Sequence, residues 1–124
     1  MVPVIHDANK KPLTEIAAIS KTLVDKARKG TLLKEEISGG TFTVTNLGIS
    51  GVDSFTPLIN PPECAILGVG RIAERPVVSE GRIVPKPTVI LSLSFDHRIT
   101  DGVPAAQFLK RLKELLERPG LKEE

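Results

Sequence analysis

The chain has no tryptophan, no tyrosine, one cysteine (Cys64), one methionine and four phenylalanines in 124 residues. Without Trp or Tyr there is little from which to build a stacking platform for bases. The 17 basic residues are balanced by 15 acidic ones to a net +2 and do not cluster with the phenylalanines, so nucleic acid is not an expected partner. A lone cysteine excludes an internal disulfide and fits a reducing compartment. No apolar run approaches the ~20 residues that a membrane span needs, and the amino terminus lacks a signal-peptide core. The expectation is a soluble cytoplasmic protein with no membrane partner. The length suits one small domain rather than two.

What is present centres on residues 91–102. Residues 88–95 are β-branched or leucine-rich and carry no charge, which predicts a buried, central strand. It runs directly into Asp96-His97-Arg98. From Val103 the apolar residues Val103, Ala106, Leu109, Leu112 and Leu116 recur every three or four positions, predicting a helix with Pro104 in its first turn, where the missing N–H costs nothing. Asp101 is a good N-cap whose carboxylate suits the positive end of the helix dipole.

Taken in order, residues 1–5 predict a short apolar strand and residues 6–11 a polar loop. Pro12 fits the first position of a helix whose apolar face is Leu13, Ile16, Ala17, Ile19, Leu23, Val24 and Ala27. Lys26, Arg28 and Lys29 in its last turn, followed by Gly30, mark its end. A further short turn is expected within residues 32–37. Gly39-Gly40 then breaks the chain before an alternating β-branched strand at residues 41–46. Residues 55–60 allow a short edge strand interrupted by Pro57, and Pro61-Pro62 an extended connection into a buried strand at residues 64–72. Residues 75–85 predict a hairpin turning at Glu80-Gly81. The tail, residues 118–124, is expected to be loose. The layout is a mixed α/β layered domain.

Several motifs fail on context. Gly68-x-Gly70-x-x-Ala73 matches a dinucleotide fingerprint, but a hairpin follows where a helix is needed, so the glycines are expected to serve close packing or a bend. Asp25-Lys26-Ala27 is similar to a lipoyl attachment site, yet such a lysine stands at a hairpin tip and Lys26 falls near the end of a helix, on a solvated face. His6 has no second ligand at metal spacing, and no metal is expected. Cys64 has no basic neighbour and is expected to be buried and inert. His97 is a candidate general base, with Asp101 one helical turn on. The residues alone leave open whether this charged cluster does chemistry or only ties the loop down. Thr45, on its own, is a strand threonine that packs.

Residues 94–102 resemble the Asp-His-Arg-x-x-Asp-Gly signature of the dihydrolipoamide acyltransferases, the acyltransferase components of 2-oxo acid dehydrogenase complexes. Residues 39–48, 55–63 and 65–70 resemble the same family in the same order. The resemblance implies a chloramphenicol acetyltransferase-like two-layer α/β sandwich, assembled as trimers or cages built from trimers. It also implies acyl transfer between dihydrolipoamide and coenzyme A. His97 then takes the proton from the attacking thiol, the Thr45 hydroxyl donates to the oxyanion, and Asp101, with Arg98, orients the site and fixes its loop. The site is expected between subunits, with His97 and Thr45 meeting across an interface. The resemblance covers only the carboxy-terminal half of the family's catalytic domain, so residues 1–124 are expected to be a partial domain without a lipoyl attachment site. Expected partners are further copies of the chain, a chain supplying the other half, or other dehydrogenase-complex components. The alternative is a non-catalytic homologue serving as an oligomeric scaffold.

Overall fold

The computed structural model describes residues 1–120. They group into two compact units, Met1–Thr43 and Val44–Glu124. The first is built on helix α1 (Leu13–Lys29). Its inward stripe is Ile16, Ile19, Leu23 and Ala27, with Leu23 buried. Leu13, Ala17 and Val24, expected on that face, are exposed. Pro12 is the N-cap rather than the first helical residue, and Gly30 ends the helix at φ +68°, a conformation that glycine adopts without Cβ strain.

Residues 1–5 form no strand, in contrast to the sequence reading: an apolar run makes a strand only where a neighbour offers a ladder. Val4 instead donates a single-point hydrogen bond to the Glu36 carbonyl at 2.8 Å. The expected short turn is present as a 3₁₀ turn at Lys34–Ile37. Lys26 does not stand on a freely solvated face. Its ammonium donates to Glu36, whose carboxylate also accepts from the Leu33 N–H at 2.8 Å. The Leu33 N–H and then Lys26 hold the Glu36 carboxyl below its usual range.

The second unit contains β1 (Thr43–Asn46, entered from the first unit), β2 (Ala65–Val69), the hairpin strands β3 (Ala73–Ser79) and β4 (Arg82–Thr88), β5 (Leu91–Phe95) and helix α2 (Gly102–Glu117). Strands β1, β2 and β5 form one sheet in that order, and β3 pairs with β4 in a second. The hairpin turns at Glu80 (φ +52°) and Gly81 (φ +75°) as expected, the two positive φ values matching the right-handed twist of the strands.

Three expectations for this unit are corrected. The central strand of the three-stranded sheet is β2, almost wholly buried, whereas β5 is a half-buried edge strand. It begins at Leu91 because Thr88 is still paired with Ala73 in the hairpin while Leu91 pairs with Val69; the chain changes partners in between. Residues 55–60 are not a strand: Phe55 and the buried Pro57 lie over Gly68 as a lid on β2. Pro61-Pro62 is part of a turn, closed by the Glu63 N–H on the Asn60 carbonyl at 3.0 Å, rather than an extended connector. Prolines held near φ −65° are as compatible with a turn as with an extended run.

Helix α2 packs on β5, and Ala105, Leu109 and Leu112 are among its less exposed residues. Val103, Ala106 and Leu116, expected inward, are exposed. Pro104 lies in the first turn as expected. Residues 121–124 of the tail expected to be loose lie outside the described residues.

The glycines of the apparent dinucleotide motif are packing residues. A Cβ on Gly68 would meet the Phe55 ring at 3.0 Å, and one on Gly70 would lie 1.9 Å from the Asp53 carbonyl oxygen. Gly48 crosses at the same point, where a Cβ would be 2.4 Å from the Gly70 carbonyl. Arg71 and Arg75 both donate to the Asp53 carboxylate at 2.9 Å, tying this crossing to the hairpin. Replacing Gly70 by Ala should destabilise the chain by about 2–3 kcal/mol, because backbone rather than a flexible side chain must move. Gly102→Ala, with open space around it, should be neutral or stabilising by up to about 1 kcal/mol. Urea denaturation of the two variants checks the contrast.

Candidate active site

The site is the turn between β5 and α2. Strand β5 is antiparallel to β2, with Ala65 opposite Phe95. The pairing runs one residue further, since the Asp96 N–H donates to the Cys64 carbonyl at 2.8 Å. The chain then folds back on itself: the Asp96 carbonyl accepts from the Ile99 and Thr100 N–H groups at 3.0 and 3.2 Å. Helix α2 starts at once, its first bond running from the Ala105 N–H to the Asp101 carbonyl at 3.3 Å.

His97 stands within this turn with its side chain 72% exposed. Its ring lies 5.6 Å from that of Phe95, tilted by 43°. Its Nδ1 is 3.6 Å from Oδ1 of Asp101. That distance exceeds a hydrogen bond but lies within ion-pair range. Asp101 has the extended backbone of an N-cap (φ −91°, ψ 168°) but makes no side-chain capping bond. Its carboxylate faces the imidazole rather than the helix amides.

Asp96 is the residue that the sequence reading passed over. Its side chain, 18% exposed, accepts from the Arg98 backbone N–H at 2.9 Å and from Arg98 Nε and an Nη at 3.0 and 2.6 Å. These bonds, the guanidinium first and the backbone N–H second, lower the Asp96 pKa to about 2, and the pairing raises that of Arg98. An Asp two residues before an Arg at a strand end is the available signal, because aspartate readily accepts from the backbone N–H two positions on.

Thr45 is half-buried on β1. In the sheet order β1 and β5 are opposite edges with β2 between them, about 10 Å apart at the usual strand spacing. The structure therefore brings His97 and Asp101 together, while Thr45 stands on the strand at the opposite edge of the sheet. Cys64 is partly exposed and enters only through its carbonyl. The Nε2 of His6 lies 2.9 Å from the Glu35 carbonyl. Among the described residues no three His, Cys, Asp or Glu side chains converge to hold a metal ion.

Residues 1–122 match the family of 2-oxoacid dehydrogenases acyltransferase (catalytic domain). The dihydrolipoyllysine-residue acetyltransferase component of the pyruvate dehydrogenase complex of Staphylococcus epidermidis is 47% identical over 121 residues, 98% of this chain and 28% of that protein. Among solved structures, the Azotobacter vinelandii dihydrolipoamide acetyltransferase superposes with a TM-score of 0.90 at 40% identity, covering 94% of this chain and 48% of that one. The cubic core of the pyruvate dehydrogenase multienzyme complex superposes at 0.88 with 42% identity, covering 92% and 47%. The fold is thus of the α/β class, and of the kind found in acyltransferase cores. The chain belongs to the 2-oxoacid dehydrogenase acyltransferase family. It spans about a quarter of the length of the curated relative and about half of the solved chains.

Because the folded pKa of Asp96 is depressed, the pair's contribution to stability is present above the unfolded carboxyl pKa of about 3.9. It is lost as the pH falls toward about 2. Arg98→Gln should raise the Asp96 carboxyl toward the ordinary carboxylate range, read by carbon-detected NMR titration of the side chain.

Proposed function

We propose that this chain takes part in acyl transfer between dihydrolipoamide and coenzyme A, with His97 as the general base. The observation that carries the reading is the imidazole held at the end of β5, exposed, with Asp101 beside Nδ1. The spacing of the three candidate residues supports it. The Azotobacter vinelandii enzyme has been investigated for the catalytic role of a serine, a histidine and an asparagine. Those three are separated by 52 and 4 positions, the intervals that separate Thr45 from His97 and His97 from Asp101.

In this reading Nε2 of His97 removes the proton from the incoming thiol. The resulting thiolate attacks the thioester carbonyl, and a tetrahedral oxyanion forms. The Thr45 hydroxyl donates to that oxyanion. Collapse expels the other thiolate, which takes the proton back from the imidazolium. Asp101 keeps the imidazole oriented. No residue of the chain is acylated.

Thr45 and His97 sit on opposite edges of one sheet, so the hydroxyl is drawn from a second copy, in a trimer-based assembly. A piece of the catalytic domain from another chain, or other dehydrogenase-complex components, would complete the contacts to both substrates. The described surface fits this need: Ile49, Leu58, Ile72, Val78, Ile83, Val103 and Leu116 are all more than half exposed. No described side chain is completely buried. A core so thin leaves folding dependent on association.

Two measurements test this. The protein, alone and co-expressed with the complementary part of a homologous catalytic domain, should exchange acyl groups between dihydrolipoamide and coenzyme A. His97→Ala should lower kcat about 10²–10⁴-fold, and Thr45→Ala about 10²-fold. Absence of exchange in both preparations, or exchange indifferent to His97→Ala, overturns the catalytic reading and leaves the scaffold alternative. Separately, the melting temperature should rise with protein concentration, as linkage requires of an assembly that binds only the folded chain; a constant value over a hundredfold range (about that span suffices) overturns the oligomeric reading.

A further inference from the structure

We propose that Asp96 is a positioning residue for His97, its carboxylate closed on Arg98 so as to fix the turn from which the imidazole projects. The proposal rests on the reading of His97 as the base and goes beyond it, since the catalytic chemistry requires no further carboxylate.

Asp96 carries the connections of the whole turn. Its N–H belongs to the sheet, through the Cys64 carbonyl, and its carbonyl belongs to the fold-back, through the Ile99 and Thr100 N–H groups. Its carboxylate grips the backbone N–H and the guanidinium of Arg98. His97 lies between the two gripped residues. Two groups near its ring come from the flanking elements: Phe95 is the last residue of β5, and Asp101 immediately precedes α2 at the N-cap position. The turn therefore sets the position of the ring between two neighbours that β5 and α2 supply.

The Arg98 side chain is 89% exposed. An ion pair with so exposed a partner adds little to global stability, so its effect is local geometry. There is a second consequence. With both carboxylate oxygens of Asp96 committed to Arg98, the carboxylate that faces Nδ1 is that of Asp101. Releasing Asp96 would place a competing acceptor one residue from the imidazole.

The test uses Asp96→Ala and Arg98→Gln in the full chain, with His6→Gln as background so that a single histidine is observed. Asp96→Ala should lower kcat about 10–100-fold with KM within about twofold, the signature of a misplaced group rather than of lost substrate binding. Arg98→Gln keeps the backbone N–H bond and should lose less, about three- to tenfold. In both variants the ring-current shift that Phe95 imposes on the His97 protons should shrink, and the nitrogen-15 shifts of Nδ1 and Nε2 should move. A kcat within about twofold of the parent in Asp96→Ala, or unchanged His97 shifts, overturns the proposal. So does a fall in kcat that appears only together with a raised KM. Should the parent show no exchange, or exchange that survives His97→Ala, the general-base reading fails and the NMR shifts alone decide on positioning. Should Asp96→Ala not fold, Arg98→Gln decides by the same two readouts.

Discussion

The antiparallel pairing of β2 with β5 is the constraint on which the rest of the second unit depends. It fixes Leu91 against Val69 and Phe95 against Ala65, and it continues past the strand proper through the Asp96 N–H and the Cys64 carbonyl. Backbone bonds of this kind cannot slip by one residue without turning every side chain to the other face. Phe95 and the turn after it are therefore placed by the sheet. Helix α2 then adds Asp101 from the other side. His97 needs no packing of its own to be located, which is how an exposed imidazole can have a defined position.

The same sheet limits what one chain does. Thr45 and His97 occupy opposite edges with β2 between them. The apolar residues that a self-sufficient domain would cover are spread over loops, the hairpin and the outer side of α2. Both facts follow from topology rather than from any single residue.

The crossing at Gly48, Gly70 and Asp53 shows how the same letters can serve different physics. In a dinucleotide fold, glycines after a strand let a phosphate approach the backbone. Here the groups that approach are the chain's own: the Asp53 carbonyl and the Phe55 ring. The hairpin that follows Arg71, in place of a helix, was the discriminating feature, and it was legible in the sequence.

Much of the local structure was determined by the sequence alone. Helices α1 and α2, the hairpin with its Glu80-Gly81 turn, and the strand-turn-helix that carries His97 follow from periodicity, capping and turn chemistry, which act over a few neighbouring residues. What required tertiary structure was every feature that depends on a partner distant in sequence. Residues 1–5 and 55–60 have strand composition but no ladder to join. β5 is an edge rather than a centre because β2 pairs on both sides. Val103 and Leu116 stay exposed although their spacing is that of an inward stripe, because what covers a helix residue is set by elements distant in sequence. The closure of Asp96 on Arg98 is a contact between residues two apart and was within reach of the sequence, whereas the fold turned Asp101 from the helix amides to the imidazole, since a carboxylate's choice among nearby donors is decided by distances that sequence spacing does not contain.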